Sequence, residues 1–432
     1  MFKILKNAWS VPELRKKILI VLGLLLVFRF GSYIPVPGIN RVALESMINS
    51  DQSGLLGVFN IISGGAFSNL SIFAMSITPY INASIIIQLL TVAIPALEKM
   101  AKEGMDGRKK LAQYTRYLTI VLALIQSIGI AISFKSVLYD TNFLTYFMIV
   151  LSLTAGTAFI MWLGEQMTEY GIGNGTSLII FAGIISGLVG GIQSLLASTG
   201  FYESLWGKFG FVAIILVLLL LIVAVVWVQK AERRIPVQYA KRVVGRKMYG
   251  GQSTHIPIAL SMSGVMPIIL AMSILMFPAM IINLVTKANP QGIWYVIYHL
   301  CNNSANSGIG YTVGYCIIYS LLIIGFTFFY TIIVFNPVEV ANNLKKNGGF
   351  IPGIRAGKPT ADYLANVLNK ITIFGAVFIA LVAIFPVIVQ TITGITIGFG
   401  GTALLIVVGV ALETVKQLEA QLVMKHYKGF LD

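Results

Sequence analysis

Ten long apolar stretches, each parted from the next by a short polar or basic loop, leave this chain few folds to choose from. They run roughly over 18–33, 72–96, 117–134, 143–163, 177–196, 211–228, 259–285, 312–335, 371–392 and 402–423. About 20 apolar residues cross the hydrocarbon of a bilayer. Lipid offers the backbone no water to bond, so each segment must satisfy its own amides and fold as a helix. The period-2 alternation of a membrane barrel is absent. The fold class that follows is an all-α membrane protein with ten transmembrane helices. Composition agrees: hydrophobic types make up 57% of the residues and charged types 11%. That is less than half the roughly 25% charge of a soluble protein.

The net charge of +15 would suggest nucleic acid in a soluble chain. Here the charges sit between the apolar runs, so a membrane face explains them better. Of the 31 Lys and Arg residues, 26 fall at the two termini and in the second-to-third, sixth-to-seventh and eighth-to-ninth loops. The opposite side holds only Arg41, Lys135, Lys208 and Lys287, and Arg29 lies inside the first span. The bias places both termini in the cytosol. Lys3, Lys6, Arg15, Lys16 and Lys17 before the first apolar run resemble a signal peptide. The stretch Gly31–Gly38 offers no small-x-small cleavage site and more spans follow, so this is read as a permanent span. Five spans per half, residues 1–196 and 197–432, would set the halves in opposite orientations, as in inverted-repeat membrane folds.

Chemistry is scarce. Gly357-Lys358 lacks the Ser or Thr and the first Gly of a phosphate-binding loop. Gly171-Ile172-Gly173-Asn174-Gly175 is GxGxG after a membrane span, and reads as a tight turn. Cys301 and Cys316 form no CxxC pair, the three histidines lie far apart, and no metal site or cofactor is expected. A coupled solute transporter needs ionisable residues at the midplane, and a membrane enzyme needs a nucleophile with a base, paired carboxylates or a metal cluster. The spans show only Arg29 and, near the end of the last helix, Glu413. Arg29 precedes Tyr33 by four residues, and snorkelling to the external interface is the plainer reading. Neither a transporter nor an enzyme is expected.

Three features call for more. The stretch Leu55–Leu70, LLGVFNIISGGAFSNL, is too short and polar to span. It fits a re-entrant half-helix inside protein or an ordinary external loop equally well. In the second span Ile77, Ile81, Ser84 and Gln88 share one helical stripe, apolar outside and polar toward the cytosol. Interhelical packing, with the polar groups bonded to neighbouring helices, is the plainer reading of such a stripe. The loops at about 229–258 and 336–370 carry more Lys and Arg than orientation requires, which suits an acidic surface, ribosomal RNA or anionic lipids.

Several runs in order carry a resemblance. They include 28–38 (FRFGSYIPVPG), 63–66 (SGGA), 79–90 (PYINASIIIQLL), 113–117 (QYTRY), 162–166 (WLGEQ), 171–175, 252–255 (QSTH), 335–337 (FNP) and 352–355 (PGIR). Along nearly its whole length the chain resembles the SecY family of protein-conducting channels. The resemblance implies two five-helix halves around an hourglass pore in the bacterial cytoplasmic membrane. It implies a plug at about 55–70, including Phe59, Asn60, Ser63, Gly64, Gly65 and Phe67. It carries the pore ring onto Ile77, Ile81, Ile180, Ile269 and Ile406. The sixth ring position falls on Thr176, where the family has bulky aliphatic residues. Ser84 and Gln88 would border a lateral gate between spans two and three and spans seven and eight. Unfolded secretory polypeptides would pass through the pore, and apolar segments would leave sideways into lipid. Arg355 and Lys358 in one loop, and Arg242, Arg246 and Lys247 in the other, would dock the ribosome or the motor ATPase SecA. SecE and SecG are the implied partner subunits.

Overall fold

The computed structural model describes residues 2–40, 44, 60, 63–198, 205–239, 242–244, 247–249, 253–286, 291–302, 308–393 and 401–428. Phe59 and Arg246 lie outside the described residues, as do the side chains of Arg242 and Lys247.

Each of the ten predicted segments contains a long helix. After a short α1 (Phe2–Ser10) come α2 (Pro12–Gly31), α3 (Thr78–Ala93), a short α4 (Pro95–Lys102), α5 (Met105–Ser133), α6 (Phe143–Tyr170), α7 (Gly175–Ser198) and α8 (Leu205–Lys230). The second part of the chain adds α9 (Met266–Thr286), a short α10 (Ile293–Cys301), α11 (Ile309–Val334), a short α12 (Pro337–Lys346), α13 (Lys358–Thr393) and α14 (Gly401–Lys428). Seven of these helices are long and apolar enough to cross a membrane singly. The pair α3 and α4 is broken by a 102° bend. The break falls at Ile94, extended at φ −108° and ψ 113°, because Pro95 bars its predecessor from helical backbone.

The second span begins later than its apolar run suggests. Residues 72–77 form turns, and the helix starts at Thr78. Ser76 has φ +49° and Leu70 φ +37°, a region helices exclude. Pro79 has no amide hydrogen and its ring clashes with the turn before it, so it suits only a first helical turn. Phe73 from this non-helical stretch stacks between Phe28 of α2 and Phe159 of α6, at centroid distances of 6.1 and 5.9 Å. Irregular backbone is thus enclosed by helices on both sides, which is where a membrane tolerates it.

The two basic loops form one body. Strand β1 (Glu232–Tyr239) pairs antiparallel with β4 (Ser253–Ala259) and with the two-residue β5 (Gly349–Phe350) of the later loop; β2 (Arg242–Val244) and β3 (Lys247–Tyr249) make a separate hairpin. Ile235 and Val237 of β1 share a core with Ile258, Leu344, Ile351, Leu364 and Leu368. Asn336 caps α12, its side-chain oxygen accepting from Val338 N at 3.1 Å.

The helices approach closely where side chains are absent. A Cβ on Gly156 of α6 would lie 1.9 Å from the Ile72 carbonyl oxygen, whereas one on Gly23 of α2 would meet nothing within 4 Å. Gly156→Ala should therefore force α6 from the turn segment, costing about 1–3 kcal/mol, while Gly23→Ala should be neutral or mildly stabilising. Thermal-inactivation midpoints of the two purified variants in detergent check this; equal midpoints would refute the close approach.

Candidate functional site

Four helices bring their first two turns to one apolar cluster. Ile77 precedes α3 and Ile81 lies in its first turn; Thr176 and Ile180 open α7; Ile269 opens α9; Ile406 opens α14. Ile77, Ile180, Ile269 and Ile406 pack together, fully buried, and Ile81 packs against them. Its buried members are apolar, and Tyr80 of α3 packs against them.

Thr176 completes the group with its methyl outward from its own hydrogen bonds. Its hydroxyl donates to Asn174 Oδ1 at 2.7 Å, and the same oxygen accepts from Thr176 N at 3.1 Å. A Cβ on Gly164 would lie 3.3 Å from Thr176 Cγ2 and 3.4 Å from Ile77 Cδ1. The polar end of the threonine is thus spent locally and the apolar end faces the isoleucines. The glycine-rich turn before α7 makes this possible: Gly173 has φ +88°, and Gly175 N donates to Thr168 Oγ1 at 2.9 Å.

Beside this dry cluster lies a polar cavity of about 350 Å³ between α7, α8, α14 and the start of α9. Gln229, Ser261 and Ser263 in its wall carry side-chain oxygens with no protein partner. Such groups call for water. Glu413 lines the same cavity.

On the other side of the cluster sits a glycine turn. Asn60 is helical, and Gly65 N bonds back to its carbonyl at 2.9 Å, the six-to-one closure of a helix end. Gly64 and Gly65 take φ of +66° and +85° there. The polar residues of this segment satisfy each other: Ser68 N donates to Asn60 Oδ1 at 2.9 Å and Phe67 N to Ser63 Oγ at 3.0 Å. Ala66 is a member of the isoleucine cluster, and Phe67 packs edge-on against Phe134 at 5.7 Å.

Arg29 behaves differently from a snorkelling side chain. Nη2 does donate to Tyr33 Oη at 2.7 Å, with the guanidinium 4.7 Å from the Tyr33 ring centre. Nη1 turns inward instead and donates to the Gly64 carbonyl at 2.7 Å and to Ser186 Oγ at 3.1 Å. A carbonyl and a hydroxyl within reach replace the water that snorkelling would seek.

A third contact joins α3 to α11. Tyr330 Oη donates to Gln88 Oε1, and Ile85, Leu270 and Tyr330 form an apolar seam with Ile81 and Leu89. Helix α9 packs on both α3 and α5 along the same seam. Ser84 is half-buried one turn before Gln88. Arg355 is exposed on a turn between Gly353 and Gly357, its carbonyl accepting from Thr360 Oγ1 at 2.8 Å, and Lys358 is exposed at the start of α13. Tyr330, Ser186 and the strand β5 were not visible as partners in the sequence. In β1 the burial of Ile235 and Val237 alternates with exposed neighbours at period 2.

The SecY family model matches residues 71–415. The protein translocase subunit SecY of Halalkalibacterium halodurans is 47% identical over 446 residues, covering 100% of both chains. The chain belongs to the SecY family. Two solved structures share the fold at TM-scores of 0.65 and 0.63. One is a SecY protein whose plug domain is described as stabilising the closed state of the translocation channel, with 18% identity over 94% of this chain and 92% of that one. The other is Sec61 in a canine ribosome-channel complex, with 17% identity over the same shares. As a SecY chain this protein is a ten-helix, multi-pass protein of the bacterial cytoplasmic membrane. It is a protein-conducting channel subunit of a translocase, not a catalyst.

Local satisfaction of Thr176 yields a prediction. Thr176→Val should leave resting ion conductance of the reconstituted channel within about twofold, because the lost hydroxyl served only Asn174. Asn174→Ala frees that hydroxyl to hold water, and should raise conductance roughly fivefold, the equivalent of one neutral hydrogen bond near 1 kcal/mol. Planar-bilayer recordings of both variants check it.

Proposed function

We propose that the isoleucine cluster is the closed waist of the pore, with Ile77, Ile81, Thr176, Ile180, Ile269 and Ile406 as its ring. The observation that carries this is the junction of four helix starts in one uncharged, branched cluster, with a polar cavity beside it. A constriction without hydrogen-bonding partners excludes water and ions by dewetting. Branched side chains can part around a passing polypeptide without reading its sequence.

In this reading the segment at about 55–70 is the plug, its Ala66 seated against the ring. The α3–α9–α11 seam is the lateral gate in its closed position, held by Gln88 and Tyr330. Residues 1–196 and 197–432 act as two halves that part along this seam. Once they part, a segment of about 20 apolar residues partitions into lipid.

Both termini and the joined loop body lie in the cytosol, as the placement of Lys and Arg implies. Arg355 and Lys358, with Arg242, Arg246 and Lys247 of the other loop, form the docking face for SecA or the ribosome. SecE and SecG complete the channel, and anionic lipids neutralise the remaining basic residues. Energy comes from the docked partner.

A photo-crosslinking residue at position 81 should capture a stalled secretory chain, and the same residue at Leu219 on the exposed face of α8 should not. Equal yields at both positions would refute the pore assignment. In the loop body, Arg355→Glu should abolish motor-driven secretion into membrane vesicles while the amount of folded channel stays unchanged. Normal secretion would remove Arg355 from docking.

A further inference from the structure

We infer that Arg29 is the latch that holds the plug shut, through the backbone carbonyl of Gly64; this rests on the plug reading above. Arg29 lies in the last turn of α2, about 18 Å along the helix from Lys17 at 1.5 Å per residue. That is inside a hydrocarbon layer about 30 Å thick. A charge at such depth is costly unless it is bonded. Among the described residues no carboxylate pairs with it. Its acceptors are Tyr33 on its own chain segment, Ser186 on α7 and Gly64 in the plug.

The three elements meet with little slack. A Cβ on Gly64 would lie 2.5 Å from Ser186 Oγ and 2.8 Å from Gly183 Cα, so the plug turn lies directly on α7. Ser186 has one hydroxyl hydrogen, and Gly183 O at 2.8 Å is a nearer acceptor than Gly64 O at 3.1 Å. With that proton directed to the Gly183 carbonyl, the serine accepts from Arg29, and among the described residues Arg29 becomes the one strong donor to the plug carbonyl. The bond is charge-assisted, which makes it stronger than a neutral one. Its acceptor is backbone, so it does not depend on a plug side chain. When the plug leaves, Arg29 loses its shortest inward acceptor while Tyr33 and Ser186 stay in place. The arginine thus biases the closed state without touching the translocating chain's waist.

The test uses the chain in its full translocase complex, reconstituted in planar bilayers. Arg29→Gln should raise the resting open probability on the order of tenfold to a hundredfold, the range of a hydrogen bond to a charged group. Arg29→Lys keeps the charge but loses the two-nitrogen grip, and should give an intermediate rise. Ser186→Ala should give a smaller one. In a chain lacking residues 63–69, which should itself leak, none of the three should add anything. A sealed Arg29→Gln channel beside a leaking deletion overturns the latch and leaves the plug. A deletion that stays sealed overturns the plug reading itself. An Arg29→Gln effect of equal size in the deletion places the arginine's action elsewhere and also overturns the latch. Should Arg29→Gln fail to assemble, Arg29→Lys and Ser186→Ala decide, and sealed channels in both overturn it.

Discussion

Everything in this structure answers to the cost of an unpaired backbone group in lipid. A buried polar group without a partner costs several kcal/mol, and helices avoid that cost over most of the chain. The stretch 63–77 does not form a regular helix, yet it lies among α2, α6 and α7. Much of its bonding is met nearby: Asn60, Ser63 and Ser68 serve the turn, and Ile72 N donates to the Ile34 carbonyl at 3.0 Å, though the buried Ser76 hydroxyl has no protein partner. Residues that look too polar for a membrane in sequence are the ones that make irregular backbone affordable there.

The same rule separates the waist from its surroundings. The isoleucine cluster offers water no partner, while the cavity next to it presents Gln229, Ser261 and Ser263 unpaired by protein. Wet and dry zones therefore adjoin over a short distance. Thr176 shows how narrow the margin is. At this proposed ring position the hydroxyl hydrogen is taken by Asn174 Oδ1, which leaves the methyl as the apolar end of the side chain.

The ten spans were legible because each is a long apolar run, and lipid gives such a run one solution. Their ends were less so. Ile72–Ile77 is apolar enough to extend the second span, and only Pro79 and the left-handed Ser76 place the helix start at Thr78. Hydropathy carries no information about φ. The ring positions came from resemblance, since an isoleucine in an apolar helix looks like any other. Their convergence depends on how four distant helices pack, which no local pattern encodes. Arg29 was visible as an oddity, but its partners Gly64 and Ser186 stand 35 and 157 residues away. The joining of the two basic loops was hidden for the same reason: β5 is two residues long, and its pairing with β1 spans more than a hundred residues.

A channel for unrelated polypeptides faces a conflict between sealing and indifference. Strong, specific contacts at the waist would seal it but would also grip what passes. The proposed waist relies on packing of branched apolar groups, which would yield to any chain at similar cost. The bonds that can favour one state over another therefore have to lie off the path. They do: Arg29 reaches the Gly64 carbonyl from one side of the molecule, and Tyr330 reaches Gln88 from another. Both joints link elements that must separate when the pore or its side opens in the proposed reading, and neither lies within the isoleucine cluster. The proposed docking residue Arg355 is likewise remote, on a loop body whose core is distinct from the isoleucine cluster. In the proposed reading closure, recognition and passage fall to different residues, and a change in one need not alter the chemistry met by the chain in transit.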